Sequence, residues 1–333
     1  MEESSKSDAH AVTIRVNDLY KWFEMVIRVE NVARVKIPYH GEELLGPRWI
    51  YRGQANSAWE IASSFERLIL PKIPKESRSN EDDLRIREDS SILYFRQWAE
   101  IPKIESPILK GEWLALMRHY EVPTRLIDFS EVPLMALAFS LEDDTQAGSD
   151  FAIWAVLGES LGYVTNESLR KSKPGIDRVE ILDTLTVRAQ SDDYDREEMN
   201  RILSYNQDLG TPRLLRYVPI GMNDRQKRQR GLFLTSTHLS QKFMPLLHKW
   251  TNTDAKDLKD TNLEMYIADA LTPDGIKDIV ANSHIIKYVF DKKLRGKAKT
   301  FLRCCNVTDL TRYGGIEKLA AETKELLLEG FYR

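Results

Sequence analysis

Two short stretches carry the side chains best suited to chemistry. In Arg48-Trp49-Ile50-Tyr51-Arg52-Gly53-Gln54 an apolar run ends at an arginine beside a glycine. A guanidinium offers a rigid fork of donors that matches phosphate or carboxylate, and a glycine lets a flat ligand approach the backbone. In residues 118–140, Thr124, Arg125, Asp128 and Ser130 crowd one short segment ahead of an apolar run. Buried charge is costly and gathers at functional sites. The two stretches are therefore expected to form one polar pocket on strand ends, with Arg52 and Arg125 gripping an anion. Each residue also has a plainer use. Arg52 could pair with Asp128, Ser130 could cap a helix, Gly53 could serve a turn, and Arg125 could satisfy backbone carbonyls. His119 could be a cation at a helix C-terminus. Gln229, in a run with Arg225, Lys227, Arg228 and Arg230, could lie on a solvated face.

The elements that must position these residues read as a mixture. Apolar spacing from Asn17 to about Val35 predicts a helix, and 48–52 a buried strand. Ser63-Ser64-Phe65-Glu66-Arg67 follows, with Arg67 aimed back at the pocket, and then a loop over 71–83. Helices are expected over 83–100 and 107–120, an extended piece over 124–129, and a helix capped by Ser130 with Pro133 in its first turn. Phe151–Leu157 is apolar throughout and reads as a central strand. Further strands are expected at 180–189, 215–220, 231–237, 264–269 and 284–290, and helices at 194–204, 240–248 and 274–281. Strands and helices do not alternate strictly, so the fold class is α+β around a mixed, strongly twisted sheet. Residues 1–12 read as a flexible tail and 13–333 as a single domain.

Composition narrows the function. Lys and Arg total 48 against 51 Asp and Glu, a formal net charge of −3. That balance argues against non-specific nucleic-acid or membrane binding. The two cysteines, Cys304 and Cys305, are adjacent and offer neither a disulfide frame nor metal spacing. A reducing cytoplasm is the expected compartment. The first ten residues lack the apolar core of a signal peptide, and no run is long enough to span a membrane. There is no Walker or Rossmann glycine loop, no His-Glu-x-x-His pattern and no nucleophile elbow; no metal is expected.

Tyr51-Arg52-Gly53 and the block His119-Tyr120 to Phe139 resemble the FRG domain, a bacterial family named for a Phe/Tyr-Arg-Gly tripeptide. The second block agrees at His119, Tyr120, Pro123, Thr124, Arg125, Leu126, Asp128, Phe129, Ser130, Pro133, Leu134, Ala136, Leu137 and Phe139. It departs at Glu121, where the family has glycine, and at Val132, where it often has asparagine. Gln229, Gly231 and Phe233 supply a Gln-x-Gly-x-Phe feature, and Lys293 to Leu327 a basic helix and a closing helix. The resemblance spans most of 15–330.

A more distant likeness is to ADP-ribosyltransferases, with their Arg…Ser…Glu signature. It implies an ADP-ribosyltransferase-like sheet with helical N-terminal and C-terminal additions, and NAD as substrate. Arg52 would hold the pyrophosphate and Gly53 would face the nicotinamide. Thr124 or Ser130 would take the serine position and Gln229 the glutamate position. Tyr51, Gln54, His119, Arg125 and Asp128 would complete the nucleotide pocket. A neutral Gln229 offers no charge to an oxocarbenium-like centre. Asp128 or Glu131 would then supply the carboxylate, or the chemistry would not need one, or the pocket would bind without turnover. The leading expectation is a nucleotide-using effector in phage defence or toxin activity. Its acceptor or phage factor is not specified by the residues, nor is the oligomeric state. The alternative is a nucleotide- or nucleic-acid-sensing module acting through a partner. A metal-dependent nuclease would need clustered carboxylates, and Glu81, Asp82, Asp83, Asp143 and Asp144 fall in expected loops.

Overall fold

In the computed structural model eight strands form one mixed sheet in the order β7-β8-β5-β4-β6-β10-β1-β9. The structure describes residues 11–32, 35–39, 42–46, 49–99, 109–158, 212, 214–219, 224–251, 259–262 and 284–329. The strands are β1 (Ala11–Val16), β4 (Trp49–Gln54), β5 (Ile127–Ser130), β6 (Phe151–Leu157), β7 (Leu214–Tyr217), β8 (Gly231–Ser236), β9 (Lys259–Asn262) and β10 (Ile285–Phe290). A separate hairpin joins β2 (Val35–Tyr39) to β3 (Glu42–Gly46). Pairing is parallel where β1 meets β9 and β10, and antiparallel elsewhere in the large sheet.

The helices are α1 (Leu19–Val32), α2 (Lys75–Arg78), α3 (Glu81–Trp98), α4 (Lys110–His119), α5 (Pro133–Phe139), α6 (Asp224–Gln229), α7 (Phe243–Thr251), α8 (Arg295–Cys304), α9 (Asp309–Tyr313) and α10 (Ile316–Glu329). Local chemistry starts several of them. Asn80 caps α3 by accepting from the amides of Asp82 and Asp83 at 3.1 and 3.3 Å, and three acidic residues fill that first turn. Thr308 and Thr311 form a reciprocal capping box at the start of α9.

Alternation along the strands divides the core between the two faces of the sheet. On one face Trp49 and Tyr51 pack with Ile14, Trp22 and Met25 and with Ala136 and Leu137 of α5. On the other, Ile50, Trp154 and Val156 pack with Phe129, Leu232 and the α7 residues Phe243 and Leu247. β6 is buried at every position, as its unbroken apolar run predicted.

The expected tail ends too late: Ala11 and Val12 already lie buried in β1, whose Ala-Val-Thr-Ile-Arg-Val alternates as a strand should. The expected loop over 71–83 contains α2 and the first turn of α3. The helix after Ser130 starts later than expected, with Val132 at the cap and Pro133 as its first residue. The elements expected at 180–189, 194–204, 264–269 and 274–281 lie outside the described residues.

Candidate functional site

β4 and β5 are neighbours that pair through a single register position, Tyr51 opposite Ser130. Beyond it Arg52, Gly53 and Gln54 on one side and Asp128 and Phe129 on the other line a cleft of about 1070 Å³. α4 contributes Arg118 and His119 to its walls, α6 contributes Arg225, Gln226 and Gln229, and the 58–68 segment contributes Trp59, Glu60 and Arg67. The volume is at the upper end of the roughly 300–1,000 Å³ of ligand pockets.

Two guanidinium groups meet one carboxylate here, and a third, Arg67, lines the same cleft. Arg118 donates from Nε and Nη2 to Asp128 Oδ2 at 3.0 and 2.7 Å. Arg52 lies 3.9 Å from the same oxygen, and its Nη1 donates instead to the Asp128 backbone carbonyl at 2.6 Å. Arg52 Nε is buried and has no hydrogen-bond partner among the described residues. Arg67, exposed on the single π-helical turn Phe65–Ile69, makes no side-chain hydrogen bond or ion pair among them. Burial lowers the Arg52 pKa to about 10; Asp128 opposes the shift, and Arg118 and Arg67 add to it. Arg52, Arg67, Arg118 and Arg225 share the lining with the carboxylates of Glu60, Glu121, Asp128, Glu142 and Asp143, so an anion would be held here by particular guanidinium donors and not by an excess of positive charge. Arg52 is thus not sealed against an internal carboxylate: the cleft lies alongside it.

The structure does not bring all the expected site residues together. Arg52, Gly53, Gln54, His119, Asp128 and Gln229 line the cleft; Tyr51, Thr124, Arg125 and Ser130 do not. Tyr51 is one residue from Arg52 and so points through the opposite face, where its hydroxyl donates to Glu30 Oε1 at 2.6 Å. Arg125 is fully buried, where it forms a two-pronged pair with Glu88 and donates to the carbonyls of Ser236 and Thr237. Its plainer use is the one realised, and the second guanidinium beside Asp128 is that of Arg118. Thr124 is buried against Ser64, which accepts from the Thr124 amide at 3.0 Å. Ser130 is wholly buried; its hydroxyl donates to the Gln229 carbonyl at 2.7 Å and accepts from the Val132 amide at 2.9 Å. It braces the turn into α5 without being its cap.

Gly53 serves packing. A Cβ there would sit 1.9 Å from the Ala136 carbonyl oxygen and 2.6 Å from the Ser140 nitrogen, both backbone of the α5 segment. Gln54 is held on both sides of its amide, donating to the Glu60 carbonyl at 3.0 Å and accepting from Trp154 Nε1 at 2.7 Å. Burial, then Arg225, lowers the His119 pKa, which favours the neutral imidazole. Gln229 is buried rather than solvated, and its Nε2 donates to the Arg312 carbonyl at 3.4 Å. Glu131 is occupied by Arg216 at 2.7 Å. Glu142, also at the cleft, accepts from Arg312 and from the Tyr313 hydroxyl.

Residues 47–149 match a known family model. That model describes the FRG domain. The match takes in both motif blocks, whereas Gln229, Gly231, Phe233 and the tail beyond Lys293 lie outside it. No curated protein and no solved structure shows significant similarity to the chain. The FRG segment holds β4 and β5, and with them Arg52, Trp59, Arg67, Arg118 and Asp128. The part of the lining that α6 and β8 contribute comes from outside it.

Arg118 went unrecognised in the sequence, although it directly precedes His119 in the motif block. Its signal was available: a basic residue in the last turn of an amphipathic helix, ten positions before a motif aspartate. Arg225 gave no comparable signal, because it sits in a basic run outside any motif.

Proposed function

We propose that the cleft binds the phosphates of a nucleotide, and that the FRG domain uses it as an ADP-ribosyltransferase-like effector acting on NAD. The observation that carries this reading is that Arg52, Arg67 and Arg118 all line one nucleotide-sized cleft, two of them at Asp128. Arg52 lines the cleft, and phosphate oxygens are the acceptors that suit a guanidinium. NAD, an ADP-ribosyltransferase-like fold and a role in phage defence or toxicity come from the family likeness alone. In that chemistry the residues here would orient the pyrophosphate and hold the scissile ribose. Cleavage of a glycosidic bond to a cationic leaving group depends on such orientation and on a nearby negative dipole.

Gln229 favours a second reading, nucleotide sensing without turnover. It stands at the cleft as a neutral amide, and Asp128 is engaged by Arg118. A carboxylate so engaged is poorly free to stabilise a cation. Calorimetry with NAD and ADP-ribose, followed by chromatography of the incubated NAD, separates the two. Under the enzyme reading NAD is consumed; under the sensing reading it is bound and recovered intact. Under both, Arg52→Gln weakens binding by about tenfold or more, the loss of a charge-assisted phosphate contact, while the thermal melt stays cooperative. Failure of NAD, ADP-ribose and ADP all to bind removes both readings.

A further inference from the structure

We infer that Trp59 is the platform on which the ligand's nucleobase stacks, so that the cleft selects base-bearing phosphates over bare phosphates and sugar phosphates. The inference rests on the nucleotide reading of the cleft and adds the class of ligand. Trp22, Trp49, Trp113 and Trp154 are buried, each at most 3% exposed; Trp59 and Trp98 are 40% and 68% exposed, and of these two Trp59 lies in the cleft wall. Leu68, 48% exposed, is a second apolar side chain in that wall. Both stand in the same cleft as Arg52 and Arg67, which gives it an apolar, flat surface beside a cationic one. That combination suits a base joined to a phosphate, since every base presents a π-face to an aromatic ring.

The loop that carries Trp59 is held on a fixed frame. Ser57 donates its amide to the Asp150 carbonyl at 2.7 Å. Asn56 accepts from the Ala58 amide at 2.9 Å and donates to Gln146 Oε1 at 3.0 Å. The Trp59 amide donates to the Asn56 carbonyl at 3.2 Å. At the two ends, Arg295 donates to the Ala55 carbonyl at 2.5 Å and Gln54 to the Glu60 carbonyl at 3.0 Å. A ring presented on a backbone so fixed loses little entropy when a base covers it, which favours binding over an equally exposed ring on a mobile loop.

Calorimetry of the full chain with ADP, ribose 5-phosphate and inorganic pyrophosphate tests this, with Trp59→Ala, Trp59→Phe and Arg52→Gln and a thermal melt for each. ADP is expected to bind more tightly than the two ligands without a base. Trp59→Ala is expected to weaken ADP by about tenfold or more and leave pyrophosphate unchanged, and Trp59→Phe to recover most of the loss. ADP is also expected to quench tryptophan emission in the wild type and not in Trp59→Phe. Equal ADP affinity in Trp59→Ala and wild type, or pyrophosphate binding as tight as ADP, overturns the base platform and leaves the arginine clamp standing. A wild type that binds none of the three ligands overturns the nucleotide reading, and the platform with it.

Discussion

Two positions show how much the backbone decides about a single residue. At Gly53 the space is taken: α5 packs its carbonyls against the β4 backbone, so a methyl group would meet the Ala136 oxygen at 1.9 Å. Gly53→Ala is therefore expected to cost at least about 3 kcal/mol, the upper part of the overpacking range, read as a lower urea midpoint. A ligand-contact glycine would instead lose binding with its stability intact. Glu121 is the reverse case. It closes α4 with φ +62°, in the left-handed region, where a side chain is unfavourable. The glycine that the FRG motif has at this position suits that conformation. Glu121→Gly is expected to raise stability by about 0.5–1 kcal/mol in the same urea experiment. A loss of stability there would show that the glutamate side chain outweighs its backbone strain.

Among the elements, α9 shapes the cleft from a distant place in the chain. Its Arg312 is buried, pairs with Glu142 and Asp309, and lies over the rings of Phe139 and Tyr313 at 5.7 and 4.9 Å. The Arg312 carbonyl holds Gln229, and the Tyr313 ring lies 4.4 Å beneath the Arg225 guanidinium. Three cleft residues, Glu142, Arg225 and Gln229, are thus set from a helix that does not itself line the cleft. Arg312→Ala is expected to cost about 1–3 kcal/mol, the range for a lost hydrogen bond to a charged group with a partly exposed partner. Amide hydrogen exchange should speed in α6 and α9 and stay unchanged in β6. Unchanged protection in α6 would mean that its packing on β8 suffices to hold that wall.

At the scale of the whole molecule the FRG segment is not a self-sufficient unit. It contributes only β4 and β5 to the eight-stranded sheet. β4 takes its full ladder from β6, Trp49 to Gln54 against Leu157 to Ala152, and β5 takes its ladder from β8. Both partner strands lie beyond residue 149. Without them the backbone edges of β4 and β5 and the apolar faces of α4 and α5 lack cover. A fragment of residues 47–149 is expected to show no cooperative thermal transition by circular dichroism, whereas the full chain melts cooperatively. A folded fragment would mean that the helices of that segment alone form a core.

Several features were legible in the order of the residues alone. Apolar runs and alternation marked β4, β6, β8 and β10, and the two motif blocks pointed to the FRG domain and to Arg52 and Asp128 as neighbours, because local periodicity and spacing are written in adjacent residues. Which arginine joins Arg52 was not legible. Arg125 and Arg118 carry the same group, and only the packing of α3 beside α4 and the segment leading into β5 sends Arg125 to Glu88 and leaves Arg118 facing Asp128. Nor could the sequence place α9 behind the cleft, since that contact joins residues 83 positions apart, Gln229 and Arg312. Chemical type and local conformation belong to a residue and its neighbours; the facing of charged groups around a shared space arises only when distant segments compete to bury their apolar sides.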